Sequence, residues 1–236
     1  LANLGFKEGN VLEPAMGVGN FFGTMPEEMK NSRLYGVELD SISGRIAKQL
    51  YQTADIQVSG FERTQFPDNF FDVAVGNVPF GQFKLSEKRY DKLNLNIHDH
   101  FFAKSLDKVR AGGVIAFVTS KWTLDKANSQ FRKYLAQRAE LLGAIRLPNN
   151  AFSNNAGTDV TSDIIFLQKR DKMLDIEPEW INLGKTADGI PVNKYFEEHP
   201  EMILGEMKQG VEYSLYGNAE GTACVPFEGA DLKEQL

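Results

Sequence analysis

The chain has 236 residues, 42% of them apolar and 25% charged, with 21 Gly, 9 Pro and a formal net charge of −6. That length makes one large domain, or a domain with an appendage, and buries a substantial core. The composition excludes collagen-like, coiled-coil and wholly disordered chains; no apolar run approaches the roughly 20 residues of a membrane-spanning helix, and no signal peptide opens the chain.

Asn10-Val11-Leu12-Glu13 reads as a first strand, ended by Pro14 and a Gly-rich turn. A second strand covers 33–39. A helical stretch over 41–53 follows, with Ile42, Ile46, Ala47 and Leu50 at helical spacing. Residues 56–58 and 71–75 are the third and fourth strands, the latter bounded by Asn77 and Pro79. Residues 98–109 have helical periodicity and run out at Gly112-Gly113, after which 114–118 makes a fifth, buried strand. An amphipathic helix over 129–142 precedes a strand at 144–147, and 164–167 is the last strand. Strands separated by helices predict a doubly wound α/β domain over 1–170, with a mostly parallel sheet. Beyond it, 171–236 is acidic, rich in Pro and Gly and weakly periodic, and is expected to trail as an extended segment. The chain opens at Leu1 in mid-pattern, without Met, and reads as a piece of a longer polypeptide. The single cysteine, Cys224, cannot form an internal disulfide, so a reducing cytoplasm is the expected location.

Charge is unevenly spread. Residues 171–236 hold 14 Asp/Glu against 5 Lys/Arg, whereas 81–146 holds 13 basic residues against 6 acidic ones. The basic middle is where a polyanion contact would lie, although solvated helix faces account for the same charges.

In an α/β sheet, ligands bind at the carboxyl ends of the strands. Here the first strand runs into Glu13-Pro14-Ala15-Met16-Gly17-Val18-Gly19-Asn20-Phe21-Phe22, and Gly17 and Gly19 let the backbone turn tightly beside a ligand. The second strand ends in Glu38, 19 residues after Gly19, where a carboxylate can accept from both hydroxyls of a ribose. Phe22 occupies the sixth position of GxGxxG, so the dinucleotide fingerprint is incomplete. An adenosine-type cofactor is therefore expected. His98-Asp99-His100 fits no closed zinc pattern, and no metal is expected.

The set Glu13 to Phe21, Gly36-Val37-Glu38-Leu39-Asp40 and Asn77-Val78-Pro79-Phe80 resembles the S-adenosylmethionine-dependent N6-adenine DNA methyltransferases, which carry Asn-Pro-Pro-Phe/Tyr at the last of these positions. The resemblance covers about residues 9–169, extending to the Gly112-Gly113 strand and to Gly157-Thr158-Asp159-Val160-Thr161-Ser162-Asp163-Ile164-Ile165-Phe166-Leu167. More narrowly, it resembles methylase domains inside very large helicase–methylase polypeptides of bacterial mobile elements. It implies the class I (Rossmann-like) methyltransferase fold, a doubly wound, mostly parallel seven-stranded sheet. It implies that Glu13, Pro14, Ala15, Gly17, Gly19, Phe21, Glu38, Leu39, Phe61, Glu62 and Asn77 bind S-adenosylmethionine, and that Asn77, Val78, Pro79 and Phe80 form the catalytic motif. Phe61 and Glu62 are alternatives for the contact to the cofactor's adenine ring.

An exocyclic amine is a poor nucleophile because its lone pair is delocalised into the ring. The resemblance assigns the Asn77 side-chain oxygen and the Val78 carbonyl to accept its hydrogens, and Phe80 to stack on an adenine flipped from DNA. Val78 stands where proline is usual; Pro79 restricts it to extended angles. Lys84, Lys88 and Arg89, in the polar stretch after the motif, and Lys121, after the fifth strand, are candidates for phosphate contact or for a merely solvated surface. Two other readings remain: a methyltransferase for RNA bases or protein glutamine, and an inactive methylase-like binding or anti-restriction module of a larger mobile-element protein. With only nine residues before the first strand, and an acidic tail in place of a base-reading domain, weak cofactor binding and little sequence-specific DNA binding are expected of this piece alone. The expected partners are DNA and the rest of the parent polypeptide, without membrane or metal.

Overall fold

The computed structural model describes residues 1–152, 160–210, 212 and 221–236. Gly157, Thr158 and Asp159, part of the late segment in the resemblance, lie outside them. Seven strands form one mixed sheet in the order β3-β2-β1-β4-β5-β7-β6: β1 Asn10–Glu13, β2 Arg33–Glu38, β3 Asp55–Val58, β4 Phe71–Asn77, β5 Val109–Ser120, β6 Ala139–Leu147 and β7 Ser162–Lys169. Pairs β1–β2, β1–β4, β2–β3 and β4–β5 are parallel, and β7 is antiparallel. The expected doubly wound seven-stranded sheet of the class I methyltransferase type is the fold observed. Among the described residues, no helix is long and apolar enough to cross a membrane.

The residues gather into two compact units. The first comprises 1–118, 138–142 and 166–174, and the second 119–137, 143–165 and 175–236.

In the first unit, β1 pairs with both β2 and β4, and Val11 and Leu12 on it are buried. Helix α1 (Asn20–Gly23) follows the Gly-rich turn, and α2 (Ser41–Leu50) begins where the Asp40 carboxylate accepts from the Ser43 amide at 2.7 Å. The spacing of Ile42, Ile46 and Leu50 does mark a helix, but the buried side of α2 is Gly44 and Ala47, and the three large residues are exposed. Close packing is the reason, since a Cβ on Gly44 would lie 2.9 Å from the Val58 side chain. Helix α3 (Ile97–Lys108) ends before the glycines; Gly112 lies inside β5, with φ +74, where the β4–β5 register shifts between Phe71 and Val73.

The second unit holds α4 (Trp122–Asp125) and most of α5 (Gln130–Arg138). The helix expected over 129–142 stops at Arg138, because Glu140, Leu141 and Leu142, good helix formers, are taken into β6. The segment expected to trail over 171–236 does not: 171–174 belong to the first unit, and the described residues of 175–236 are folded in the second. They form the antiparallel hairpins β8 (Leu183–Lys185) with β9 (Pro191–Asn193) and β10 (Glu206–Gln209) with β11 (Thr222–Val225), and they bury Ile181, Val192, Phe196 and Cys224. Arg146 on β6 is fully buried, pairs twice with Asp163 at 2.9 Å and once with Asp125 at 2.8 Å, and lies over the Phe196 ring. Asn193 donates its backbone amide to Asp125 and its side chain to the Leu124 and Trp180 carbonyls, at 2.9 Å each. The tail's charge misled because its described acidic residues are exposed, around a few well-spaced apolar anchors.

Candidate active site

The carboxyl end of β1 turns back through two left-handed glycines, Gly17 (φ +55) and Gly19 (φ +90). Glu38, ending β2, holds this turn: its Oε2 accepts from the Gly17 amide and its Oε1 from the Asp40 amide, each at 2.7 Å. The Met16 amide donates to the Val37 carbonyl at 3.0 Å, and the Tyr51 hydroxyl to the Gly19 carbonyl at 2.7 Å. Gly36 allows the approach, since a Cβ there would lie 2.1 Å from the Met16 sulfur. The space in front of Gly17 is open, with nothing within 4 Å of where a Cβ would be.

Glu13 is buried at the end of β1, and its Oε2 has no hydrogen-bond partner. Burial, with a contribution from the Glu38 charge, pushes its carboxyl up to about 9, so it is neutral at pH 7. Beside it, a Cβ on Gly76 would touch Glu13 Cγ and Pro14 Cδ at 3.6 Å, so the ends of β1 and β4 converge. Asn77 closes β4 with its side chain exposed. The amide that Val78 restores is not free: it donates to the Val118 carbonyl on β5 at 3.0 Å, and the Val78 side chain is buried. The sheet ladder thereby fixes the backbone at this position. Phe80 is half-buried.

The first unit thus brings together Glu13, Pro14, Gly17, Glu38 and Asn77. Phe21 is half-buried, while Phe22 belongs to the core with Met16, Ala47 and Ile56. Leu39 is 74% exposed. Of the two alternatives near β3, Phe61 is sealed in the core against Phe101, ring centroids 5.0 Å apart, and Glu62 is the more accessible. Lys84 and Lys88 are exposed, Lys84 bonding Asn94 at 2.6 Å. Arg89 pairs with Asp68 at 2.8 Å and Asp107 at 2.9 Å. Lys121 lies in the second unit, buried, its amine held by the carbonyl and hydroxyl of Thr222 and pushed by burial down to about 8. It offers no exposed charge to a phosphate. Burial also pushes the Cys224 thiol up to about 12, which leaves it unreactive.

Sequence reasoning passed over Glu87 and Lys104, and weighed His100 only as a metal ligand. Lys104 is wholly buried and donates to Glu87 at 2.9 Å, and His100 Nε2 lies 2.9 Å from the same carboxylate. The available signal was a lysine inside Phe101-Phe102-Ala103-Lys104-Ser105-Leu106, a stretch buried on every side. Among the described residues, no three His, Cys, Asp or Glu converge to hold a metal ion.

The N-6 DNA Methylase family model matches residues 3–197. Defense against restriction protein B of Escherichia phage P1 is 34% identical over 167 residues, 68% of this chain and 7% of that protein. Type II methyltransferase M.CvrRI of Paramecium bursaria Chlorella virus XZ-6E is 37% identical over 75 residues, 32% of this chain and 19% of that protein. The chain therefore spans a small part of both curated relatives. A candidate class I S-adenosylmethionine-dependent methyltransferase from Listeria monocytogenes has a similar structure, with a TM-score of 0.58 at 18% identity over 73% of this chain and 56% of that one, a likeness of fold.

Proposed function

The chain belongs to the N-6 DNA methylase family, and on that premise we propose that it transfers a methyl group from S-adenosylmethionine to the N6 amine of adenine in DNA. The observation that carries this reading is the placement of an exposed Asn77, at the end of β4, beside a turn that Glu38 and the Gly17 amide hold open.

The residues present fit the cofactor. Glu13 is a buried carboxyl with one oxygen lacking a partner, which an ammonium group would complete as the carboxyl gives up its proton, and the lone pairs of Glu38 beyond its two amide bonds suit ribose hydroxyls. When bound, S-adenosylmethionine supplies an electrophilic methyl on a positively charged sulfur. The Asn77 side-chain oxygen and the Val78 carbonyl accept the two hydrogens of the adenine amine, which draws the nitrogen toward tetrahedral geometry and frees its lone pair to attack. Val78 keeps its carbonyl aimed because its own amide is tied to Val118. Phe80 stacks on the base, worth about 1–3 kcal/mol. No side chain forms a covalent bond, so positioning and electrostatics carry the rate. Lys84 and Lys88 face phosphate from the loop that follows.

The test is transfer of tritiated methyl from S-adenosylmethionine to unmethylated duplex DNA, with RNA and bulk protein as other acceptors. Label recovered as N6-methyladenine, and lost in Asn77→Ala, is the expected result. Label in RNA or protein moves the chain to another acceptor. A second reading, an inactive module serving against restriction, is favoured by the likeness to the phage P1 protein and predicts no label with any acceptor, even from the full-length parent.

A further inference from the structure

The loop 81–96 leaves directly from Phe80 and rejoins the fold at α3, where the Ile97 amide donates to the Phe83 carbonyl at 3.0 Å and closes its neck. Midway along it, Glu87 reaches inward. One carboxylate oxygen accepts from Lys104 Nζ at 2.9 Å, and the other lies 2.9 Å from His100 Nε2. Burial pushes the Glu87 carboxyl up, but the bonds from His100 and Lys104 outweigh it and hold it below its usual value. The Tyr90 hydroxyl adds a bond to Asp107 at 2.6 Å.

Lys104 has further partners on another segment. Its amine donates to the Thr64 carbonyl at 3.1 Å and lies 5.0 Å from the centroid of the Phe61 ring. Phe61 opens the short 3-10 turn Phe61–Arg63, and Thr64 caps it. One buried ammonium thus joins the turn expected to meet the cofactor to the loop that carries Lys84 and Lys88. Burial pushes this amine below its ordinary value, and among the described residues Glu87 is the one carboxylate bonded to it. Lifting the loop would withdraw that carboxylate and leave a buried charge facing a carbonyl and a ring, which is strongly unfavourable.

We propose that Glu87 and Lys104 are positioning residues, a buried latch that keeps the loop after the catalytic motif closed and couples its closure to the turn at 61–64. The latch stands on geometry alone; its coupling to cofactor rests on the methyltransferase reading. Linkage makes the coupling reciprocal, so a cofactor that steadies the turn favours the closed loop, and DNA seated on the loop tightens cofactor binding by the same factor.

Hydrogen exchange followed by mass spectrometry tests both halves, on wild type, Glu87→Gln, Lys104→Met and the double variant, without ligand and with saturating S-adenosylhomocysteine. Without ligand, amides of 82–92 exchange about tenfold faster in both single variants, while those of β1 and β2 keep their rates. The double variant exchanges no faster than Lys104→Met, because both changes break one contact. Unchanged rates at 82–92, or additive acceleration in the double variant, overturn the latch. Glu87→Gln preserves side-chain volume on the loop side and reports the latch even where Lys104→Met loosens the core. S-adenosylhomocysteine slows 82–92 in wild type but not in Lys104→Met, and equal slowing in both overturns the coupling. No binding of S-adenosylhomocysteine to wild type would instead overturn the methyltransferase reading and leave the ligand-free comparison standing.

Discussion

Two carboxyl groups in this chain are equally well buried, one in each unit, and they are treated in opposite ways. Asp163 on β7 meets the Arg146 guanidinium through two hydrogen bonds, and Asp125 takes the remaining side of that cation. Glu13 on β1 has an oxygen with no partner and stays neutral. A buried polar group left unpaired is costly, so it persists where something other than folding uses it. The second unit completes its charge network internally. The first leaves its network open at the strand ends, where a ligand is expected.

Truncating Arg146 gives the largest effect expected from this contrast. Arg146→Ala strands two buried acids and costs about 3–5 kcal/mol, read as a lowered urea midpoint with an unchanged slope. A loss below about 1 kcal/mol would break the comparison, because the second unit would then not depend on its closed network.

Asn77→Ala comes next and has the opposite profile. It lowers methyl transfer about 10²-fold or more, while the denaturation midpoint stays within about 0.5 kcal/mol of wild type. Steady-state kinetics beside urea titration checks both numbers.

Glu13→Gln sharpens the contrast through pH. The folded carboxyl keeps its proton up to about 9, whereas in the unfolded chain it ionises near 4.5. Folding therefore takes up a proton in this window, so the stability associated with neutral Glu13 is fully present below 4.5 and is lost as pH rises toward 9. Wild type should lose about 1 kcal/mol relative to Glu13→Gln between pH 6 and pH 7, near the limit of about 1.4 kcal/mol per pH unit for one proton. Parallel curves for the two proteins would mean that Glu13 is ionised and paired after all.

Lys88→Ala is the mildest. It lowers DNA affinity two- to threefold, or about 0.5 kcal/mol, and reduces the slope of log affinity against log salt by about 1 if Lys88 meets a phosphate. An unchanged slope makes it a solvated surface lysine.

What could be read from the sequence was whatever is local. β1, its glycine turn, Glu38 and Asn77 announce themselves through strand periodicity, two glycines one residue apart and residue types that suit a strand end. α2 was legible as a helix but not in its orientation, because Gly44 and Ala47 carry too little side chain to signal a buried face. The Lys104 bonds to Glu87 and Thr64 span 17 and 40 residues, and neither spacing follows a helix or strand period. The second unit was the least legible part. Its closure depends on Asp125, Arg146, Asp163 and Asn193, four polar residues from separate elements far apart in the sequence.

The Val78 amide carries a last consequence for how this motif tolerates change. Stiffness at the second position of Asn77-Val78-Pro79-Phe80 can come from a pyrrolidine ring or from a rung of the β4–β5 ladder, and here it comes from the rung. A proline at 78 would have no hydrogen to give, would orphan the buried Val118 carbonyl and would place a ring where a valine side chain is packed. A proline at 78 would therefore cost this chain a ladder hydrogen bond and a packed side chain together.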